Sequence, residues 1–218
     1  MHLNREITTR MASHDKRITK PRTSERRSPR SQRTRDAIVV ALLDLVQEGE
    51  MRPTAVEIAR RANISRRTLF KHFPQTELLR AAAVESAIGG QISEFGRLSV
   101  EFSGPFPRRL AAFVDYRTKL LERVTMLRRA ALVFEPFSKR IAQGVERAIR
   151  ESRREVALVF AKELTKLEPV RRRETLAALS ATCSWPYWNA LRQQQQLSRA
   201  ASRRTVAYVV KCLLRGRD

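Results

Sequence analysis

Apolar residues recur every three or four positions along most of the chain after residue 30, which is the spacing of one face of an α-helix. The first such segment begins at Ser31 and ends at Gly49, because glycine commonly terminates a helix. Pro53 then bars the helix from resuming. The apolar face of this predicted first helix comprises Ile38, Leu42, Leu45 and Val46.

Two shorter helices are predicted to follow, separated by a three-residue turn. The T-x-x-E pattern that starts at Thr54 is a capping box, so the second helix begins there and runs to about Ala62. Asn63 occupies the turn, where a tight connection usually requires a positive φ, and asparagine tolerates that conformation best after glycine. Ser65 then caps a third helix over residues 66–72.

Helical periodicity continues from Pro74 to the end of the chain, and no alternating pattern indicates a β-strand. The 138–167 segment is the clearest, since its apolar residues share one face and Arg147, Arg150 and Arg154 lie on the opposite one. About nine helices in an all-α fold are therefore predicted. Those after Pro74 run from there to near Ser103 and over residues 106–124, 126–135, 138–167, 170–195 and 199–215.

Basic charge is the strongest feature of the composition. The chain has 44 Lys+Arg against 22 Asp+Glu, a formal net charge of +22, which favours an anionic polymer as the partner. Residues 81–218 carry +13 of this charge, so the excess is not confined to the short helices. Extra arginines on solvated faces, as in proteins from GC-rich genomes, are an alternative explanation for that part.

Residues 1–30 are rich in Arg, Ser and Thr and have almost no apolar periodicity. Such a segment cannot bury enough apolar surface to offset the entropy lost on ordering, so a disordered basic arm is expected. If the anionic polymer is DNA, the arm could lie along its backbone or in its minor groove. A solubilising tail, or a start codon assigned upstream of Met11, are the alternatives.

Other functional classes have little support in the sequence. Cys183 and Cys212 lack a CxxC spacing and the three histidines are scattered, so neither a metal site nor a cofactor is expected. No nucleophile motif or glycine-rich phosphate loop indicates an enzyme. No apolar run is long enough to span a bilayer and no signal core is present, which predicts a cytoplasmic protein with no membrane partner.

Helices two and three have the spacing of a helix-turn-helix. In such a motif the second helix enters the major groove with its N-terminus first, so Arg66, Arg67 and Thr68 would meet base edges. Arginine suits a bidentate contact with guanine, and Lys71 and His72 would lie near the DNA backbone. The alternative is an ordinary helical corner with a solvated basic tip.

The segment from Thr54 to Pro74 resembles the helix-turn-helix of the tetracycline-repressor (TetR) family of bacterial transcription regulators. It is T-A-V-E-I-A-R-R-A-N-I-S-R-R-T-L-F-K-H-F-P, similar to the family pattern T-V-x-x-I-A-x-x-A-G-V-S-x-x-T-L-Y-x-H-F-P. A helix like T-R-D-A-I-V-V-A-L-L-D-L-V, at residues 34–46, precedes it. Residues 183–201 are similar to a W-x-x-L-R-x-x-x-G-L-S-x-x-x-A segment of some members.

The resemblance implies a TetR-like all-α fold, with an N-terminal helix-turn-helix domain at residues 31–80 and a helical dimerisation and ligand-binding domain at 81–218. It implies a homodimer that represses transcription from a palindromic operator in double-stranded DNA and is released by a small-molecule effector. The expected DNA contacts are Ser65, Arg66, Arg67, Thr68, Phe70, Lys71, His72, Thr54, Thr76, Arg33 and Arg35.

Three departures from the family pattern bear on DNA affinity. Phe70 replaces the usual tyrosine and Thr76 the usual lysine, which removes two phosphate contacts, while Asn63 replaces the usual glycine. Affinity is then expected to be lower than usual, unless the basic arm supplies the missing charge.

The last two predicted helices, 170–195 and 199–215, are expected to pair with those of a second copy. Pro186 is expected to kink the first of them and leave a carbonyl free beside Trp185, Tyr187 and Trp188, although the kink could simply fit helix packing. The side chains expected to need a partner surface are Trp188, Leu191, Val206, Val209, Val210 and Leu213.

Aromatic residues are the candidates for an effector pocket. Such residues at helical spacing are commonly core residues instead, and this alternative stays open for Phe113, Phe137 and Phe160 as well as for the five best candidates. Those five are Tyr116, Phe134, Trp185, Tyr187 and Trp188.

Two other functions remain open on the sequence alone. A sequence-tolerant nucleoid or RNA-binding protein would use the charge of +22 without reading a palindrome. A TetR-like protein that has lost its ligand response would act as a constitutive repressor or as an activator.

Overall fold

The computed structural model describes residues 28–98 and 102–215, and this part of the chain contains helices and turns but no strand. The predicted all-α fold is confirmed, with ten α-helices among the described residues. They are α1 (Pro29–Gln47), α2 (Ala55–Arg61), α3 (Arg66–His72), α4 (Thr76–Arg97), α5 (Phe106–Phe134), α6 (Lys139–Val159), α7 (Ala161–Leu164), α8 (Pro169–Thr182), α9 (Trp185–Asn189) and α10 (Arg199–Arg215). None of these helices is both long and apolar enough to cross a membrane.

The first helix begins two residues before its predicted start. The Ser28 hydroxyl accepts a hydrogen bond from the Ser31 backbone N–H at 3.3 Å, and Pro29 occupies the first turn, where its fixed φ suits a helix. Residues 29 and 30 therefore belong to α1 and not to the predicted arm. Residues 1–27 of that arm lie outside the described residues.

The predicted division between residues 124 and 126 is wrong, because α5 is continuous from Phe106 to Phe134. The Thr125 hydroxyl donates to the Leu121 carbonyl at 2.7 Å, which accommodates the hydroxyl within the helix. The helix ends just before Pro136, and Glu135–Phe137 form a 3₁₀ turn.

Two long predicted helices are divided in the structure. The 138–167 segment breaks at Phe160, whose backbone leaves the helical conformation between α6 and α7. The 170–195 segment breaks after Thr182, because Pro186 lies in the first turn of the new helix α9 and does not kink a continuous one. A π-helical turn, Ala190–Gln194, follows α9.

The buried apolar side chains form two principal cores. The first joins α1, α2 and α3 to residues 76–83 of α4 and includes Ile38, Leu69 and Phe73; we call this part the head. The second joins α5 to α6, α8, α9 and α10, and we call the remainder of the chain the body. The predicted boundary at residue 80 falls inside α4, which continues unbroken from the head core into the body.

Helices α4 and α6 approach each other closely at Gly144. A Cβ atom placed at this position would lie 2.8 Å from Cγ1 of Val84. That separation is shorter than van der Waals contact, so a larger residue would require the Val84 side chain or one of the two helices to shift. The two helices are therefore packed directly on each other next to the head.

The side chains expected to need a second copy are largely buried within the protomer. Trp188, Leu191, Val206 and Val210 belong to the body core, and Val209 and Leu213 are half-buried. The prediction is wrong for the four buried residues, which pack inside the same chain, whereas Val209 and Leu213 keep part of their surface exposed. The outer face of α8 and α10 instead exposes Val170 and Tyr208.

Candidate nucleic-acid interface and internal cavity

The turn between α2 and α3 has the predicted conformation. Asn63 has φ of 52°, the left-handed region, and the Ile64 backbone N–H donates to the Ala59 carbonyl at 3.0 Å to close the turn. The Ser65 hydroxyl accepts a hydrogen bond from the Thr68 N–H at 3.1 Å and so caps α3. These local bonds fix how α3 leaves the turn.

Helix α3 buries one side and exposes a basic one. Leu69 is fully buried in the head core, whereas Arg66, Arg67 and Lys71 are exposed. None of these three cations makes an ion pair within residues 28–98 and 102–215. Their charge is therefore available to an anionic partner. Phe70 lies beside them and is 37% exposed, so the tyrosine-to-phenylalanine departure lies at the surface.

The threonines among the expected DNA contacts also stabilise the helix ends. Thr54 and Glu57 form the predicted capping box, and the bonds from the Thr54 N–H and hydroxyl hold the pKa of the Glu57 carboxyl below its ordinary value. The Thr68 hydroxyl lies 2.9 Å from the Ser65 hydroxyl. The Thr76 hydroxyl accepts a bond from Arg80 Nη1 at 3.1 Å.

The two α1 arginines among the expected contacts differ in their surroundings. Arg33 is exposed. Arg35 is half-buried, donates from Nη1 to the His72 backbone carbonyl at 2.8 Å, and lies 3.8 Å from the centre of the Phe73 ring. Arg35 therefore ties α1 to the C-terminal end of α3.

A cavity of about 170 Å³ lies in the body. Four helical segments line it: α4, α5, α6 and the junction of α8 with α9. Its α4 wall consists of Val84, Ala87, Ile88 and Gln91, which directly follow the α4 residues that pack in the head core. The cavity and the head thus share one helix.

A buried polar network forms part of the cavity wall. Arg117 Nη1 donates to Glu155 Oε2 at 3.0 Å, Gln91 Nε2 to Glu155 Oε1 at 3.0 Å, and the Tyr116 hydroxyl to the same carboxylate at 3.2 Å. Burial raises the pKa of Tyr116 above its ordinary value, so its hydroxyl stays protonated and remains a donor. Burial also raises the pKa of Glu155, opposed by the Arg117 charge and by these hydrogen bonds.

The aromatic residues proposed for the effector pocket lie in different places. Of the five, Trp185 alone contributes to the lining of the main cavity. Tyr116 belongs to the polar network behind it, and Phe134 borders a much smaller space between head and body. Tyr187 packs on the body core, and Trp188 is buried there with its Nε1 donating to Glu122 at 2.8 Å. Phe113 and Phe160 are core residues and Phe137 is exposed.

The buried ion pair at the cavity wall, Arg117 with Glu155, was not among the predicted site residues, although the sequence contains a signal for it. Arg117 follows Phe113 by four positions and precedes Leu120 and Leu121, so a charge lies on the apolar face of its helix. Glu155 similarly lies one residue before Val156 on the buried face of α6. Opposite charges on two buried faces indicate a pair, because a buried charge needs a partner.

Solved structures of other proteins have the same arrangement of helices. A transcriptional regulator from Rhodococcus sp. Rha1 matches with a TM-score of 0.68 at 18% identity, over 84% of this chain and 96% of that one. A TetR-family transcriptional regulator from Streptomyces coelicolor matches with a TM-score of 0.60 at 18% identity, over 84% of this chain and 80% of that one. The chain has the TetR-family fold.

The multidrug binding protein EbrR, solved in complex with imidazole, shares this fold with a TM-score of 0.60 at 16% identity, over 91% of this chain and 98% of that one. No family model and no curated protein matches the chain in sequence. The resemblance in the helix-turn-helix segment is thus confirmed at the level of the TetR fold.

Proposed function

We propose that this protein is a sequence-specific DNA-binding transcriptional regulator without catalytic activity, a homodimeric repressor that a small-molecule effector releases from a palindromic operator. The observation that carries the proposal is the pair of exposed arginines immediately after the Ser65 cap of α3, Arg66 and Arg67, which make no ion pair with any described residue. A protein with this function would work beside the chromosome, in the cytoplasm.

Arg66 and Arg67 are the proposed base-reading residues. In a helix-turn-helix the first residues of the second helix meet base edges in the major groove, and an arginine there binds guanine O6 and N7 with two hydrogen bonds. Lys71 lies just over one turn further along α3, where a side chain meets phosphates instead. The two arginines would therefore choose the sequence and Lys71 would add affinity.

Paired titrations at one fixed salt concentration, on the best selected operator and on a random duplex, test these roles. Arg66→Ala or Arg67→Ala is expected to cost about 1–3 kcal/mol on the operator and much less on random DNA. Lys71→Ala is expected to weaken both nearly equally. Arg97→Ala is the control, since Arg97 is exposed at the far end of α4. Equal losses on both duplexes for the two α3 arginines would refute sequence reading.

The proposed dimer interface is the outer face of α8 and α10. These helices pack on each other, and Tyr208 on α10 is 69% exposed although its ring is largely apolar. Tyr208→Glu is expected to shift the protein from dimer to monomer in sedimentation at micromolar concentration. Val40→Glu, at a comparably exposed residue on α1, is the matched control and is expected to remain dimeric. A wild-type monomer would contradict the proposal.

Helix α4 is the proposed link between effector and DNA. Its first two turns pack in the head core with Leu79 and Ala83, and its next turns supply a cavity wall. An effector that binds more tightly to one orientation of α4 than to another would favour that orientation, and with it one placement of the head. The shift in this equilibrium is limited by the difference between the two affinities. Close packing of α4 on α6 at Gly144 favours two discrete positions over gradual bending.

A further inference from the structure

We infer that the cavity binds a small organic monoanion, a compact apolar body with one carboxylate, whose charged group is held by Arg117 and Arg153. The inference rests on the proposed function, because it names the chemical class of the effector. It follows from the size of the cavity, the balance of charge in its wall and the hydrogen bonds of Arg117.

The size and lining of the cavity define the body of the ligand. Thirteen of its twenty lining residues are apolar, so most of the ligand surface must be apolar too. The cavity of about 170 Å³ is close to the engineered cavity of about 150 Å³ that accepts benzene. A single ring or a short alkyl chain therefore fits, whereas a multi-ring compound would extend through the opening.

The charges in the wall define the head group. The lining contains three arginines, Arg117, Arg128 and Arg153, and no Asp or Glu. Glu155 neutralises Arg117 at 3.0 Å and Glu135 neutralises Arg128 at 2.7 Å from outside the lining. Arg153 makes no ion pair within the described part of the chain. One positive charge is left over, and one negative group on the ligand would balance it.

Arg117 offers a hydrogen bond at the buried end of the cavity. Its side chain is 1% exposed, its Nε donates to the Cys183 carbonyl at 3.0 Å and its Nη1 donates to Glu155. Its Nη2 has no hydrogen-bond partner among the described residues. Among those residues, only Ser202 Oγ is a side-chain N or O atom that is both fully enclosed and without a partner. Arg117 Nη2 is therefore not fully enclosed, and the space next to Arg117 is the cavity.

Neutral polar groups lie near that arginine, because Gln91 and Arg117 bond to the same Glu155 carboxylate. Gln91 Nε2, which holds Glu155, lies 3.4 Å from the Ser152 hydroxyl, and both residues line the cavity. Arg153 follows Ser152 on α6 and is exposed, so it lies toward the rim. A carboxylate at this end would accept from Arg117 Nη2 and face the charge of Arg153. An ammonium group would find no carboxylate in the lining to accept from it.

Three probes of similar shape test the charge preference: phenylacetate, phenylacetamide and 2-phenylethylamine. Their affinities for the full chain are measured by calorimetric titration near pH 7 at fixed ionic strength. Phenylacetate is expected to bind at least tenfold more tightly than either of the others. Equal binding of all three, tighter binding of the amine, or no binding of any up to about 10 mM would overturn the inference.

Variants locate the head group. Arg153→Gln is expected to lower phenylacetate affinity about tenfold and leave phenylacetamide affinity unchanged. Arg154→Gln is the matched control, because Arg154 is the next residue on α6, exposed and absent from the cavity wall. The pair Arg117→Met with Glu155→Met removes both buried charges together, which lets the fold persist, and is expected to lower phenylacetate affinity further. Unchanged phenylacetate affinity in both charge-removing variants would overturn the assignment.

The outcome is separable from that of the proposed function. These titrations contain no DNA, so a chain that prefers phenylacetate but reads no operator would support the cavity inference and contradict the regulator. A chain that reads an operator but shows no preference for the anion would support the regulator and contradict the cavity inference.

Discussion

The head and the body treat charge in opposite ways. In the head, Arg66, Arg67 and Lys71 lie at the surface and make no ion pair with any residue that the structure describes. The caps of α2 and α3 each bond to a residue three positions away. In the body, Arg117 reaches Glu155 and Arg109 reaches Glu163, pairs that are buried or nearly so and separated by 38 and 54 residues in sequence. Exposed charge is available to attract an anionic polymer, whereas the buried ion pairs join helices within the body.

The surface of the head and the cavity of the body arise from the sequence in different ways. Local sequence determines the head surface, because caps and turns depend on neighbouring residues. The cavity depends on contacts among α4, α5, α6 and the α8–α9 junction, so its chemistry appears only once the helices are packed. Four predictions, from the largest expected effect to the smallest, test how far the contrast holds.

Breaking the buried pair in the body is expected to have the largest effect. Glu155→Gln leaves the Arg117 charge without its partner and is expected to lower the free energy of unfolding by about 3–5 kcal/mol. Urea denaturation measures the loss. Glu151→Gln, which removes the partner of the exposed Arg154, is the control and is expected to change stability by less than about 0.5 kcal/mol. Similar losses in the two variants would remove the distinction between buried and exposed charge.

The α4–α6 crossing is expected to respond next. Gly144→Ala places a methyl group 2.8 Å from Val84, so we expect this variant to be about 1–3 kcal/mol less stable than Gly89→Ala. Gly89 lies on α4 with nothing within 4 Å of its added Cβ, which makes it the matched control. Adding Val84→Ala to Gly144→Ala is expected to relieve the crowding. Thermal unfolding that ranks the two alanine variants equally would contradict the close crossing.

The head turn is expected to show a smaller, local effect. Asn63→Ala forces a residue with a Cβ and no polar group into φ of 52°, at a cost of about 1–2 kcal/mol. Asn63→Gly suits that conformation and is expected to retain full stability. Chemical denaturation of the three proteins checks the order, and an alanine variant as stable as the glycine variant would show that the turn tolerates positive φ without penalty.

Restoring a hydroxyl on α3 is expected to give the smallest effect. Phe70→Tyr adds one phosphate-seeking group at a surface residue and is expected to tighten binding to operator and random DNA alike, by about twofold to fivefold. Phe137→Tyr, at an exposed residue of the body, is the control for general surface effects. Tightening on the operator alone would mean that residue 70 reads sequence.

The same contrast explains how much the sequence could predict. The capping box at Thr54, the positive φ at Asn63 and the cap at Ser65 were predicted, because each depends on residues within a few positions. The breaks at Phe160 and Thr182 were missed, because arginines of the distant helix α5 donate to carbonyls beside them: Arg109 to that of Val159 and Arg117 to that of Cys183. The pocket candidates were chosen as aromatic residues, whereas packing lined the cavity mainly with aliphatic residues of α4, α5 and α6.

The most direct test of the central claim is the specificity of the wild-type chain for its best site. Sites selected from a random DNA pool and titrated against random duplex at the same salt concentration give this ratio. Two copies of α3 placed by a dimer predict a palindrome with half-sites about 10 bp apart or a multiple of that spacing. The account predicts a preference of about a thousandfold or more, and a preference below about tenfold would contradict it in favour of a general nucleic-acid binder.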